Sequence, residues 1–404
     1  MAKELIHVLG LSSPNEVSRE AQKLLDKSEF LAGPERLLDF FPDFDGVKLP
    51  LKGPLRPWLQ EIEILSQKCS VLVLASGDPN FFGVAQQLMT VLDPAKVCLW
   101  PGATMVQKAF ALMKKSWAGV ETVSLHGRAS WREFWAAVYR ANQKGGYLAV
   151  YTDPRNSPAV LAEALSSRGQ DHLTMLVFED LATNKEKMTS LSLSAAAQGS
   201  FSPLNLVVLA TDGAQRVILG SPEEAYDPER GLITKRETRL VALGLLELTG
   251  QETLWDLGAG CGSVAVEAAR LLEDGEIWAL EKNPERVARI KANQRRFGLA
   301  HLSVVAGQAP EDLGQLPDPD RIFVGGGGED LADILSEAQK RLRPGGVIVA
   351  ATIDPNHLAT ATRILSSGPV PEVTQLSAAR SQALGPGYYL KPLSPIWLVK
   401  GGAI

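Results

Sequence analysis

The stretch "WDLGAGCGSVAVEAARLL", residues 255–272, decides the fold of the second half of the chain. An apolar run ends at Asp256, a tight loop carries Gly258, Gly260 and Gly262, and a helical pattern follows. Glycine lets a backbone turn sharply and approach a ligand closely, and the first N–H groups of a helix have no partner within it. The stretch therefore predicts a strand, a ligand-binding loop and a helix in an α/β domain.

An acidic residue follows this loop at the distance that a nucleotide site requires. Glu281 ends the next predicted strand, about twenty residues on, where a carboxylate can receive two ribose hydroxyls. The GxGxG spacing and the preceding Asp256 lean away from nicotinamide cofactors, whose loop reads GxGxxG. With the helix end, turn and strand predicted in "LRPGGVIVA" (342–350), this half resembles the class I S-adenosylmethionine-dependent methyltransferases, which have a Rossmann-like fold.

The resemblance to class I methyltransferases assigns roles to individual residues. In that family the first loop faces the methionine moiety of S-adenosylmethionine, the acidic residue holds the ribose, and residues after the third strand border the adenine. The implied cofactor-binding residues are Asp256, Gly258, Gly260, Gly262, Glu281, Gln308 and Ala309. The alternative is a Rossmann-like fold that binds another nucleotide or none.

Four consecutive glycines end the fourth predicted strand of this half, in "RIFVGGGGEDL" (321–331). That edge of a doubly wound sheet borders the ligand crevice, so bare main chain at Gly326 and Gly327 leaves room for a broad, flat substrate. A flexible loop over the site is the alternative. "DRIFVGGGG", together with "GLITKRETR" (231–239), closely resembles segments of the decarboxylating precorrin methyltransferases of cobalamin synthesis.

The segment "TKRE" (234–237) has two interpretations. Thr234 and Glu237 fit an S/T-x-x-E capping box, which by itself accounts for both residues. Alternatively, Thr234, Lys235 and Arg239 face the site and meet the acetate and propionate arms of a precorrin, to which lysine and arginine bind by charge-assisted hydrogen bonds. Both interpretations remain open. Gly326 and Gly327 are the other candidate residues of the reaction site.

The first half of the chain resembles the tetrapyrrole methylases. The supporting pieces include "LASGDPNFFGVAQQL" (74–88) and "PGATMVQKAFALM" (101–113). These class III methyltransferases have two small α/β subdomains and bind S-adenosylmethionine in the cleft between them. The resemblance implies that Gly77, Asp78 and Thr104 contact the cofactor. A domain that only binds or scaffolds is the alternative.

One loop departs from the tetrapyrrole methylase pattern. Family members usually carry GxGPGD after the first strand, whereas this chain has "GLSSPN" (10–15), in which Ser13 replaces the inner glycine. The departure leaves the role of this loop in substrate binding open.

The two resemblances follow one another along the chain. A polar stretch with two prolines, residues 211–231, predicts an interdomain crossing, which gives domains of 1–212 and 213–404. This order is similar to that of a fused enzyme of corrin synthesis. It implies that the first domain methylates C5 and that the second methylates C15 and removes the carboxyl of the C12 acetate, each with its own S-adenosylmethionine, giving precorrin-8X or its cobalt form.

Composition limits the remaining possibilities. The 404 residues carry a formal net charge of −5, with 45% hydrophobic and 22% charged residues, as in a soluble globular protein. No apolar run approaches the ~20 residues of a membrane span, and no signal-peptide layout is recognised, so a cytoplasmic protein without a membrane partner is expected. Three scattered cysteines suggest neither a zinc site nor disulfides, and no metal is expected.

Two further functions compete with a precorrin methyltransferase. An RNA methyltransferase would use the same second domain, but the acidic balance predicts no nucleic-acid partner. A tetrapyrrole carrier would bind without catalysis, but the set Asp256, Gly258, Gly260 and Glu281 argues against it. The relatives of each half imply a homo-oligomer.

Overall fold

The computed structural model describes residues 5–127, 130–227, 233–366 and 372–402. Within them the chain forms three larger sheets and one separate hairpin, with helices packed between the strands. The third sheet lies wholly in the second half of the chain, so the two predicted halves correspond to different α/β assemblies.

The first sheet is parallel throughout and has the order β3-β2-β4-β1-β5. Its strands are β1 (Ile6–Leu11), β2 (Phe30–Gly33), β3 (Val47–Pro50), β4 (Val71–Ser76) and β5 (Val97–Trp100). The helices of this part are α1 (Arg19–Lys27), α2 (Glu35–Leu38), α3 (Leu55–Leu65) and α4 (Ala85–Leu88). Because parallel strands end at the same edge, the loops after β1, β2, β4 and β5 meet there.

The second sheet is mixed and has the order β6-β7-β10-β8-β9, with only β6 and β7 parallel. Its strands are β6 (Glu121–Ser124), β7 (Gly146–Tyr151), β8 (Thr174–Glu179), β9 (Lys187–Ser192) and β10 (Asn205–Thr211). The helices are α5 (Met105–Met113), α6 (Arg132–Lys144), α7 (Pro158–Ser167) and α8 (Leu193–Ala197). Ser157 caps α7 by accepting from the Val160 N–H, and Pro158 occupies its first turn.

The third sheet has seven strands in the order β13-β12-β11-β14-β15-β19-β16. Its strands are β11 (Thr253–Leu257), β12 (Glu276–Glu281), β13 (Leu302–Ala306), β14 (Arg321–Val324), β15 (Val347–Thr352), β16 (Glu372–Leu376) and β19 (Ile396–Gly402). The helices are α9 (Arg236–Leu245), α10 (Ser263–Leu271), α11 (Pro284–Arg296), α12 (Leu331–Arg341) and α13 (Pro355–Leu365). The first five strands of this order are parallel. After β11 the chain adds β12 and β13 on one side of it, and then adds β14 and β15 on the other side. A crevice forms at the carboxyl ends of β11 and β14, where the strand order changes side.

A hairpin that the sequence did not predict stands apart from this sheet. Its strands are β17 (Ala379–Leu384) and β18 (Gly387–Pro392), which pair only with each other. Arg380 at its base binds both Glu223 and Glu237, with Nη1 2.8 Å from the Glu223 Oε2 and Nη2 2.6 Å from the Glu237 Oε2. These ion pairs tie the hairpin to α9 through Glu237 and to the connecting segment through Glu223.

The two halves share a packed interface. Tyr139 of α6 belongs to the same apolar cluster as the core of the third sheet, and its ring lies 4.2 Å from that of His301. The buried Asn142 donates from Nδ2 to the Gly298 carbonyl at 3.0 Å. Val217, within the predicted crossing, is also buried in this cluster. The described part of the crossing, up to residue 227, therefore packs against the second half through Val217 and Tyr226.

Candidate active sites

A crevice of about 420 Å³ lies at the carboxyl ends of β11 and β14. It brings together six residues that the sequence selected: Gly258, Glu281, Gln308, Ala309, Gly326 and Gly327. They come from four different loops, which converge because parallel strands end at one edge of the sheet. Lys282 and Arg286 also line it.

The loop after β11 needs glycine at three places. Gly258, Gly260 and Gly262 have φ of +70°, +60° and +78°, a region that other residues rarely enter. A Cβ at Gly258 would lie 3.5 Å from the Gly326 amide nitrogen, whereas a Cβ at Gly260 would meet no atom within 4 Å. The loop thus lies beside the glycine run and leaves open space above Gly260.

Glu281 is buried at the bottom of this crevice, at the end of β12. Its Oε2 accepts a hydrogen bond from the Gly260 N–H at 2.9 Å, and its Oε1 accepts one from the Asn283 N–H at the same distance. Each carboxylate oxygen keeps a second lone pair, so both can still receive hydroxyl groups. The carboxylate is held in one orientation by the loop that it faces.

Asp256 does not line the crevice. Its side chain is 1% exposed and its Oδ2 accepts from the Ala265 N–H at 3.1 Å, in the first turn of α10. Burial, and to a smaller extent the charge of Glu281, raises its pKa to about 7. Asp256 therefore positions the helix behind the loop, and any effect on a bound cofactor is exerted through Gly258 to Gly262.

The four glycines differ in what surrounds them. At Gly327 an added Cβ would lie 2.9 Å from the Leu331 Cβ, and at Gly325 it would lie 3.1 Å from the Phe323 ring. At Gly326 it would meet no atom within 4 Å. At Gly328, which also lines the crevice and has φ of +52°, an added Cβ would likewise meet no atom within 4 Å. Gly325 and Gly327 are needed for packing, whereas the bare backbone of Gly326 and Gly328 leaves space in the crevice.

The group Thr234, Lys235 and Arg239 does not line the crevice. Arg239 is fully buried: its Nε lies 2.8 Å from the Glu267 Oε1, and its Nη1 donates to the Thr234 carbonyl at 2.5 Å. The expectation that Arg239 meets substrate carboxylates is therefore wrong, because its guanidinium is buried in the core and paired with Glu267.

The capping box expected at Thr234 and Glu237 is also absent. The N-cap of α9 is Lys235, whose side chain makes no capping hydrogen bond. The Glu223 carboxylate instead accepts from the Arg236 N–H at 3.2 Å. Glu237 instead binds Arg380 of the hairpin, a partner that is far away in the sequence. That contact, with the charge of Arg380, lowers the pKa of Glu237 to about 2.

A second cavity, of about 560 Å³, lies between the first and second sheets. Asp78 and Thr104, which the sequence selected, both line it. The Thr104 hydroxyl also accepts from the Gln107 N–H at 3.1 Å in a capping box at the start of α5. Gly77 does not line the cavity. Its φ is +64°, and an added Cβ would lie 3.2 Å from Thr104 Cα, so it packs against the start of α5.

Three glycines bring the loops of this cavity into contact. A Cβ on Gly10 would lie 1.9 Å from the Gly77 carbonyl oxygen and 2.7 Å from the Gly102 nitrogen. The loops after β1, β4 and β5 therefore meet main chain to main chain. The departing segment "GLSSPN" forms a 3-10 turn at Pro14–Glu16, closed by a hydrogen bond of 2.7 Å from the Ser12 N–H to Glu16.

The aromatic and cationic lining of this cavity was not predicted from the sequence. Phe81, Phe82 and Tyr151 form a cluster at its wall, with ring centroids 5.0 to 6.2 Å apart. Arg36 and Trp58 also line it. Phe81 and Phe82 lie within the quoted stretch 74–88, in "GDPNFFG". Arg36 lies in no recognised motif, and its helix follows a strand that was not predicted.

No cluster of histidine, cysteine, aspartate or glutamate suited to a metal ion occurs among the described residues. Within the same part of the chain, no helix has the length and apolar character needed to cross a membrane.

Comparisons with known proteins match both halves. A family model described as "Tetrapyrrole (Corrin/Porphyrin) Methylases" matches residues 9–197, and one described as "Precorrin methyltransferase domain" matches residues 224–400. A precorrin-6Y C(5,15)-methyltransferase [decarboxylating] from Sinorhizobium sp is 32% identical over 83% of this chain and 80% of its own length.

Two shorter proteins are also similar. A probable cobalt-precorrin-6B C(15)-methyltransferase (decarboxylating) from Pyrobaculum calidifontis is 38% identical over 45% of this chain and 94% of its own length. The crystal structure of a precorrin-6y C5,15-methyltransferase from Geobacter metallireducens GS-15 is 34% identical, covers 46% of this chain and 98% of its own, and gives a TM-score of 0.44.

Proposed function

The chain belongs to the family of the precorrin-6Y C(5,15)-methyltransferases (decarboxylating), and we propose that it methylates a precorrin at C5 and C15 and removes the carboxyl of the C12 acetate, giving precorrin-8X or its cobalt form. We assign C5 methylation to a domain of residues 1–212 and the other two steps to a domain of residues 213–404. The separate family matches at 9–197 and 224–400 support this division.

We also propose one S-adenosylmethionine site in each half. In the second half, an added Cβ at Gly260 or Gly326 would meet no atom within 4 Å, so the main chain there leaves room for a ligand. The Glu281 carboxylate beside it suits two ribose hydroxyls, and we assign Gln308 and Ala309, which line the same crevice, to the adenine. In the first half, Asp78 and Thr104 offer polar groups in a cavity of a size typical of ligand sites.

The chemistry asks for positioning more than for acid or base groups. When bound, S-adenosylmethionine supplies an electrophilic methyl group, and a carbon of an electron-rich macrocycle can accept it. Holding two reactants in line can supply ~7–11 kcal/mol of barrier reduction. The fixed Glu281 carboxylate and the open backbone at Gly326 serve this purpose in the second half, because one orients the donor and the other leaves the approach unobstructed.

The observation that carries the proposal is the crevice in which the Gly258 loop, Glu281 and the bare backbone of Gly326 lie side by side. A broad ring system can approach this edge, and Lys282 and Arg286 at the same crevice provide cations for its acid arms. Removal of the acetate carboxyl leaves the bond electrons on the conjugated ring, and the resulting carbon takes up a proton to become a methyl group.

Mass spectrometry of the product tests the function directly. Purified protein is incubated with precorrin-6B and S-adenosylmethionine, and we expect two added methyl groups and the loss of one CO₂. Binding of the corrinoid without any change in its mass would instead support a carrier and overturn the proposal.

Two partner assignments accompany the function. We propose a homo-oligomer without a nucleic-acid partner, in keeping with the net charge of −5. Size-exclusion chromatography with light scattering tests the first. A salt-dependent shift of RNA on a gel would contradict the second.

A further inference from the structure

Arg36 is a cation in the wall of the first-half cavity. It lies on α2, directly after β2, and lines the cavity with Trp58, Phe81 and Phe82. The sheet order places β2 three strands from β5, so the Arg36 end of the cavity lies about 14 Å from the Thr104 end at the usual strand spacing. Arg36 and Thr104 therefore lie at different ends of one cavity. Asp78, by contrast, follows β4, which lies next to β2 and whose last residue, Ser76, contacts Arg36.

Arg36 has only a neutral partner. Its Nη2 donates to the Ser76 hydroxyl, and within the described residues no carboxylate lies at ion-pair distance from it. A guanidinium has five N–H donors in a planar fork, so most of them are available to a ligand.

Other half-buried or buried arginines of this protein are compensated. Arg239 pairs with Glu267, and Arg380 binds two carboxylates. Arg168 lies 4.1 Å from the centre of the Trp135 ring and donates to the Ala300 carbonyl at 2.6 Å. Arg36 lacks each of these forms of compensation.

Burial of an arginine without an anion is unfavourable, since removal from water destabilises the charged form. Accordingly, desolvation lowers the pKa of the Arg36 guanidinium. A carboxylate entering the cavity would restore the lost stabilisation through two parallel hydrogen bonds, the geometry that arginine and carboxylate share.

We propose that Arg36 binds a carboxylate arm of the tetrapyrrole in the first-half site and thereby selects and orients the ring for C5 methylation. This rests on the proposed function. The other source of a carboxylate is the amino-acid part of S-adenosylmethionine. We favour the tetrapyrrole because Thr104, one of the two residues assigned to the donor, follows β5, three strands away from β2. Asp78 follows β4 beside β2, so calorimetry with S-adenosylhomocysteine is needed to distinguish the two sources.

The test compares Arg36→Gln with Arg36→Lys and with Arg56→Gln. Arg56 is an exposed residue of α3 in the same subdomain that does not line the cavity, so its replacement removes an equal charge outside the site. C5 and C15 methylation are followed separately by NMR of product made with ¹³C-methyl donor. The C15 reaction of the same molecules serves as an internal control.

For Arg36→Gln we expect KM for the tetrapyrrole in C5 methylation to rise roughly 10- to 100-fold, as for loss of a charged hydrogen-bond pair. KM for the donor and the C15 reaction should stay unchanged, Arg36→Lys should recover part of the loss, and Arg56→Gln should match the wild type. With a tetrapyrrole whose acid arms are esterified, wild type and Arg36→Gln should bind equally.

Two results would overturn the inference. In the first, calorimetry shows that Arg36→Gln binds S-adenosylhomocysteine more weakly, while its KM for the tetrapyrrole is unaltered. That result would show that Arg36 binds the methyl donor. The other is a wild-type KM in Arg36→Gln. Failure of the proposed function itself is distinguishable, because the wild type would then methylate neither carbon.

Discussion

Arg239 and Glu267 form an ion pair inside the protein, with 2.8 Å between Nε and Oε1 and no exposed surface on either side chain. The Tyr226 hydroxyl donates to the same carboxylate oxygen at 2.8 Å, and the Gly220 N–H donates to the other at 3.0 Å. The pair therefore joins α9 and α10 to the segment that connects the two halves.

Removing one member of this pair should be costly. Glu267→Gln leaves the Arg239 guanidinium buried without an anion, and we expect a loss of about 3–5 kcal/mol in the free energy of unfolding. Denaturant unfolding measures it. The control is Arg270→Gln, since Arg270 and Glu273 form an exposed pair expected to contribute less than about 1 kcal/mol. Equal effects of the two variants would contradict the structural role.

The stability should fall in mild acid because of His301. It is 1% exposed, neither ring nitrogen has a hydrogen-bond partner among the described residues, and burial lowers its pKa to about 3. The unfolded chain binds a proton below about pH 6.5 and the folded chain does not, so stability is retained above that pH and lost as pH falls toward 3. This group alone should reduce the free energy of unfolding by about 2 kcal/mol between pH 7 and pH 5.

Thermal or denaturant unfolding from pH 7 to pH 5 tests the assignment to His301. His301→Phe should flatten the pH dependence. Tyr139→Phe removes the neighbouring unpartnered hydroxyl but keeps the imidazole, so it should retain the wild-type slope. If His301→Phe loses stability as steeply as the wild type, another group is responsible.

Gly10→Ala should disable the first half selectively. The new Cβ would overlap the Gly77 carbonyl oxygen, so the loops after β1 and β4 must separate. We expect calorimetry with S-adenosylhomocysteine to fall from two sites per chain to one, with C5 methylation lost and C15 methylation kept. Gly244→Ala is the control, because a Cβ there meets no atom within 4 Å and the residue lies within α9. Two sites remaining in Gly10→Ala would exclude the assigned location.

Gly326→Leu should obstruct the second half without unfolding it. The added side chain enters open crevice, so we expect C15 methylation and CO₂ release to fall at least tenfold with little change in melting temperature. Gly314→Leu is matched to it, since a Cβ there also meets no atom within 4 Å but the residue lies outside the crevice. Unchanged C15 turnover in Gly326→Leu would show that substrate does not use this space. Gly327 is a poorer position for this test, because a side chain there would clash with Leu331. A loss of turnover could then result from disturbed folding.

Regular, buried elements were predictable from sequence. The strand predicted to end at Glu281 is β12 (Glu276–Glu281), and the one predicted to end at Asp256 is β11, which extends by one residue to Leu257. Continuous apolar runs mark strands buried on both faces. The short strands β2 and β3 and the exposed hairpin were missed, since "FLAG" is too short to show a period and the hairpin has no buried face.

The candidate sites were predictable from sequence where the backbone conformation requires glycine. Glycines with positive φ at 258, 260 and 262 are recognisable because few other residues fit there. The role of Arg239 was not predictable, because its carboxylate partner Glu267 is 28 positions away on another helix. Glu237 fitted a local capping pattern, yet Arg380, 143 positions away, binds it instead. Local patterns do not report partners that only the tertiary fold supplies.

Tyr139, Asn142 and Gly298 pack the two halves against each other, and among the described residues the two cavities share no lining residue. A macrocycle that reacted in both cavities would therefore dissociate from one before it bound in the other.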